Sequence, residues 1–165
     1  MATAAGTAPN ASTAYSINIT ITTNSNQGNP QVTGINGQCL DANGAILRRF
    51  SGQGNGASAR EVFGDVIDNC PVTFLWAEQQ NGTITCIAFS LAVGDPSVST
   101  KLSPFPATSF APSLSISPGG TLLSTTIVNG NATWDYEGSI TTQVGSNTPQ
   151  TMPYDPDIEV DNIDQ

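Results

Sequence analysis

Asp135 and Glu137 stand two residues apart, interleaved with Trp134 and Tyr136, and a pair of acids beside aromatic rings is what glycoside hydrolysis requires. One acid would protonate the leaving oxygen while the other served as base or nucleophile. Alternation along a strand, however, sends the two acids to one face and the two aromatics to the other. A glycosidase needs its acids lining an aromatic-floored cleft, and this pattern turns them toward solvent. Solvated charges on a half-exposed strand are the simpler reading of the pair, and turnover the lesser one. Asp135 and Glu137 also serve as hydrogen-bonding candidates for a sugar, with Tyr154 and Phe105 as candidate aromatic platforms.

The tail offers a second group of oxygens. Asp155, Asp157, Glu159 and Asp161 alternate with Pro156, Ile158 and Val160, so an extended segment would present four carboxylates on one side. Calcium favours such ligands, but the sequence lacks the glycine and the distant bidentate glutamate of an EF-hand loop, and carboxylates spaced along a strand diverge. A charged edge strand that discourages edge-to-edge pairing is the expectation. No metal and no cofactor is expected.

Other chemistry has little to draw on. The chain contains no histidine, so nothing of that kind activates a serine or cysteine, and Lys101 follows Ser97 and Ser99 without S-x-x-K spacing. Gly52-Gln53-Gly54-Asn55-Gly56-Ala57 fits G-x-G-x-x-A formally. The dinucleotide fingerprint needs a strand, a long helix and a second parallel strand, and a flexible loop fits this context better. Cys39, Cys70 and Cys86 show no C-x-x-C spacing and read as buried reduced thiols; a zinc site is not expected. N-x-[ST] sequons at Asn10, Asn18, Asn81 and Asn131 matter only if the chain is exported.

Charge narrows the partners. Four cations, Arg48, Arg49, Arg60 and Lys101, stand against 13 carboxylates, a net charge of −9. Such a surface gains no counterion-release energy from phosphate, which argues against nucleic acid and anionic membrane. No apolar run approaches the about 18 residues of a membrane span, and the opening MATAAGTAPNAS lacks the basic and apolar regions of a secretory signal. The compartment stays open. An uncharged, Thr-, Asn- and Ser-rich first segment is compatible with an extracellular or particle-surface protein.

The elements that must position these residues are strands. Tyr15, Ile17, Ile19 and Ile21 alternate with Ser16, Asn18, Thr20 and Thr22, and Trp134, Tyr136, Ile140 and Val144 alternate with polar residues, which predicts two half-buried strands. Three Asn-Gly pairs suggest tight hairpins, because a type I′ turn needs positive φ at both central residues. A turn at Asn81-Gly82 sets Trp76 against Ile87, Phe74 against Phe89 and Val72 against Leu91, all on one face. One at Asn129-Gly130 sets Ile127 against Ala132, Thr125 against Trp134 and Leu123 against Tyr136, and one at Asn43-Gly44 sets Leu40 against Leu47. In the first register Cys86 faces Ala77, leaving Cys70 about 20 Å away along the strand, so no Cys70–Cys86 disulfide is expected.

Pro96, Pro104, Pro106, Pro112 and Pro118 make the stretch from Asp95 to Gly120 edge strand or loop. Only Ala57 to Phe63 looks helical, and for a turn or two. The expected fold is all-β: one antiparallel β-sandwich, Ig-like or jelly-roll-like, of about seven to nine strands with at most one short helix. Residues 1–165 form one domain, 1–13 read as a flexible N-terminal arm, and 145–156 as a proline-containing lead into a last acidic strand or tail.

The fragment Gly37-Gln38-Cys39-Leu40-Asp41-Ala42-Asn43-Gly44 resembles the G-x-C-L-D-x-x-G opening of a ricin-type β-trefoil repeat, a sugar-binding family. The likeness spans eight residues; the chain neither repeats the unit nor carries its closing Q-x-W. The function expected from the whole is non-enzymatic: surface recognition, or packing into a protein assembly through self-association or a partner protein. A carbohydrate-binding module is the alternative, and an acid-pair glycosidase the lower one.

Overall fold

The computed structural model of the chain describes residues 16–26, 28–53, 60–62, 71–93, 109–111, 114–126, 132–154 and 157–160. Among these there are strands and no helix: β1 Ser16–Asn24, β2 Gln31–Leu40, β3 Ile46–Gln53, β4 Arg60–Val62, β5 Pro71–Glu78, β6 Ile84–Val93, β7 Ser109–Ala111, β8 Thr121–Thr126, β9 Ala132–Val144, β10 Gln150–Tyr154 and β11 Asp157–Val160. Five form one sheet, in the order β3-β2-β1-β5-β8. The other six form the second, in the order β4-β11-β9-β6-β7, with β10 beside β9. The protein is an all-β sandwich with mostly antiparallel strands.

Alternation explains which residues meet in the middle. The inward positions of β1 are Ile17, Ile19 and Ile21, those of β5 are Val72, Phe74 and Trp76, and the second sheet answers with Phe89, Leu91, Ile140 and Met152, all buried. Four β-bulges interrupt the ladders, one of them between β2 and β3. In β6 the extra residue, Ile87, moves the buried set from Ile84 and Cys86 to Phe89 and Leu91. In β2 the extra residue, Thr33, moves it from Val32 to Ile35, and in β8 the extra residue, Leu122, is itself buried.

Both long-range hairpins expected from Asn-Gly are absent. β5 lies in the first sheet, paired in parallel with β1 and antiparallel with β8, so both of its edges are taken and β6 has no place beside it. The chain crosses through Asn81-Gly82, with Gly82 at φ 131°, into the second sheet, where β6 pairs β9 and β7. Phe74 and Phe89 do meet, with ring centroids 5.5 Å apart, but across the sandwich rather than along a ladder. β8 and β9 likewise belong to different sheets, so Asn129-Gly130 does not join them as a hairpin. For the first turn the inward residues Val72, Phe74, Trp76, Phe89 and Leu91 are those alternation picks out, Ile87 excepted, but their neighbours differ, because hairpin partners and residues opposed across two layers share one alternation pattern.

The third turn is a hairpin with a different register. Leu40 opposes Ile46 instead of Leu47, and five residues, Asp41 to Ala45, separate the strands. Gly44 sits at φ 81°, its N–H donating to Asp41 O at 3.0 Å, while Asp41 N–H donates to Ala45 O at 2.9 Å, as in a type I turn closed by a bulge. Asp41 Oδ1 accepts from the Asn43 and Ala45 amides at 2.8 and 2.9 Å, fixing the turn.

Further expectations change in the second half. Arg60–Val62 within the helical-looking stretch is a strand, and Gly52 and Gln53 complete β3, so the glycine run starts inside a sheet. The lead over 145–156 contains β10, which carries Pro153 and returns along β9. β11 is the expected last acidic strand, but it is no edge: β4 pairs it in parallel on one side and β9 antiparallel on the other. Among the described residues seven strands are longer than five residues, within the expected seven to nine, and β4, β7, β10 and β11 are additional strands of three to five residues. The proline-rich stretch does supply edge structure, β7 lying outermost beside β6. The N-terminal arm, residues 1–13, lies outside the described residues.

Candidate functional site

Two regions of the sandwich carry organised polar groups. The first closes one end of the core. Beyond Ile21 the inward positions of β1 become Thr23 and then Ser25, and beyond Trp76 the next inward position of β5 is Glu78; Thr23 and Ser25 are buried, as is Thr142 on β9. Glu78 Oε2 accepts from the Thr23 and Ser25 hydroxyls, each at 2.6 Å. Its Oε1 accepts from the Ser25 and Gln80 amides at 2.9 and 3.0 Å.

Behind this carboxylate the Trp76 indole N–H donates to Thr23 Oγ at 2.8 Å. Ser25 Oγ lies 2.8 Å from Thr142 Oγ. Since Ser25 spends its one proton on Glu78, Thr142 donates to Ser25, and the chain of bonds joins the two sheets. A carboxylate has about four good acceptor directions, and here four donors fill them. The arrangement orients and fastens; it leaves no lone pair aimed at a substrate proton.

The sequence reading missed Glu78, although its signal was present: Val72, Phe74, Trp76 and Glu78 are spaced by two, so an acid follows three core residues on the inward face. What hid it was the partner set. Ser25 and Thr142 are far apart in sequence and meet only once two sheets have stacked.

The second region is the outer face of the five-stranded sheet. Register aligns Arg49, Gln38, Asn18, Thr73 and Ser124 in one row across all five strands. A neighbouring row runs Asn36, Thr20, Leu75, Thr121. With Ser16, Thr22 and Asn24 on β1, these outward positions are amides and hydroxyls apart from Arg49 at the rim and Leu75, with Leu40 beside exposed Ile46 at one corner. No carboxylate belongs to either row. The acid bordering this face, Asp41, is turned to its own loop amides.

The residues singled out from sequence are placed elsewhere. Asp135 and Glu137 lie in β9, Asp135 in register with Asp157 of β11 and Glu137 with Ala92 of β6. Arg60 of β4 is the next residue in that row beyond Asp157. Glu159 opposes Thr133 and Val62, and Tyr154 ends β10 opposite Gly138. Phe105, Asp155 and Asp161 lie outside the described residues. Among the described residues no three acids, cysteines or histidines converge as a metal site would require.

Cys86 is a buried thiol in β6, its register partners Thr142 and Ile116 rather than Ala77. Burial pushes it up to about 11, opposed in part by a backbone hydrogen bond from Ala88. A thiol held protonated in this way is a poor nucleophile at neutral pH. Cys70 lies outside the described residues.

No protein family matches the chain, and no curated protein does. A solved structure, the inclusion body protein PixA from Burkholderia cenocepacia, is similar at 11% identity and a TM-score of 0.35, over 87% of this chain and 95% of that one. At that score the likeness carries no argument for fold or function, which rest on the residues described above.

Proposed function

We propose that this protein is a non-enzymatic β-sandwich that works by surface recognition or by packing into a protein assembly, and that its contacting surface is the outer face of the five-stranded sheet. The observation that carries this reading is the acid-free character of both cross-strand rows in a chain with 13 carboxylates and a net charge of −9. Interfaces are depleted of charge at their centres, because desolvating an ion costs more than desolvating an amide or hydroxyl. Short Asn, Ser and Thr side chains on a central strand also lose little freedom on contact.

Two further features favour binding over turnover. The chain lacks histidine, and the carboxylate of Glu78 is committed to four donors. The glycan-binding alternative depends on Tyr154 and Phe105; Tyr154→Ala tested against a glycan panel separates it from the assembly reading.

Hydroxyl-radical footprinting tests the surface itself. Leu75 and Leu40, on the outer face, should be less reactive in cells producing the protein than in the dilute purified protein. Equal reactivity in the two settings sinks the assignment of this face.

A further inference from the structure

We infer that the partner of this face is a second copy of the same chain, the two five-stranded sheets stacking outer face to outer face about a two-fold axis. The inference rests on the reading above and adds the occupant. Three features of the face favour a copy over an unrelated partner.

The first is self-complementarity. In a two-fold contact each patch meets itself, so its groups must be able both to donate and to accept. Asn18, Asn36 and Gln38 carry an amide that does both, and Thr20, Thr73 and Ser124 a hydroxyl that does both. A patch of carboxylates or of ammonium groups would repel its own image.

The second is charge. Two molecules at −9 repel each other, and they approach at least cost where neither presents an acid. Arg49, exposed at the rim of the central row, adds a positive charge there.

The third is size. Five strands at about 4.8 Å spacing and the nine residues of β1 at about 3.3 Å each give about 24 by 30 Å, or about 700 Å2 per copy. Standard interfaces bury about 800 Å2 per partner, so the whole face suffices with little to spare. Stacking at the about 10 Å separation of packed sheets, with Leu75 near the middle and Leu40 and Ile46 at a corner, would extend the sandwich by two layers.

Size-exclusion chromatography with multi-angle light scattering, run up to about 1 mM, tests this on the intact chain. The expected result is a mass moving from one copy, 17.0 kDa, toward two as concentration rises. Thr20→Glu and, separately, Thr20→Lys should weaken association by about tenfold or more, since like charges then meet across the axis. Ser146→Glu, at an exposed turn outside this sheet, should leave it unchanged. Circular dichroism on each variant ensures that only folded protein is scored, and Gln38→Glu on β2 replaces either Thr20 variant that fails to fold.

A wild-type mass of one copy throughout the range overturns the inference, while the contact-face reading is then decided by the footprint. A two-copy mass that Thr20→Glu, Thr20→Lys and Gln38→Glu all leave intact places the contact on another surface and removes both.

Discussion

Glu78 shows how much one side chain can fasten. Its carboxylate is the shared acceptor for Thr23, Ser25 and Gln80, and through Ser25 it reaches Thr142 on the opposite sheet. In Glu78→Gln the new NH2 group faces hydroxyls whose protons then lack an acceptor, or backbone amides that cannot turn away. The expected loss is about 1–3 kcal/mol, seen as a lower urea midpoint with an unchanged slope. A midpoint equal to wild type would mean that the network is dispensable.

Cys86 makes a different prediction at the same scale. Its pKa rises from 9.0 to about 11 on folding, so its contribution is complete below pH 9 and is lost as pH climbs toward 11. That loss is about 2–3 kcal/mol from this group alone. The stability gap between wild type and Cys86→Ala should therefore narrow across that window, measured by denaturant unfolding at several pH values. A gap that stays constant counts against a buried, protonated thiol.

Among the elements, the Ser117–Gly120 turn deserves a test because it seats the start of β8 on β5. Gly119 N–H donates to Trp76 O at 2.8 Å, Trp76 N–H donates to Gly120 O at 3.1 Å, and Gly119 lies at φ 91° after Pro118. Proline followed by a positive-φ glycine is the type II signature. Gly119→Ala should cost about 1–2 kcal/mol through its left-handed backbone, with open space around the added methyl. A neutral effect in thermal melts would show that the turn is not strained by a side chain. Period two made β1 and β9 legible as strands, and it chose the inward set of β1 and, in β9, Ile140 and Val144. The same pattern could not say whether β5 continues into a hairpin or crosses the core, since Phe74 and Phe89 face each other in either case. Occupied ladder edges decided it: β1 and β8 already flank β5.

For the molecule as a whole, charge sets the association behaviour. If two copies at −9 meet through acid-free faces, screening their mutual repulsion should strengthen dimers as NaCl rises from about 0.05 to about 0.5 M. An interface held by ion pairs would weaken instead, and light scattering across that range distinguishes the two. Composition and alternation alone determined that this protein is a strand-rich, acidic sandwich without histidine chemistry, because those properties follow from residue type and from a two-residue period. Tertiary structure alone decided which strands share a sheet, that β11 is flanked on both sides, that Glu78 clasps two layers, and that Asn18, Gln38 and Thr73 stand in one row. Backbone pairing between distant segments fixes those facts. A local pattern records only which side of its own strand a residue occupies.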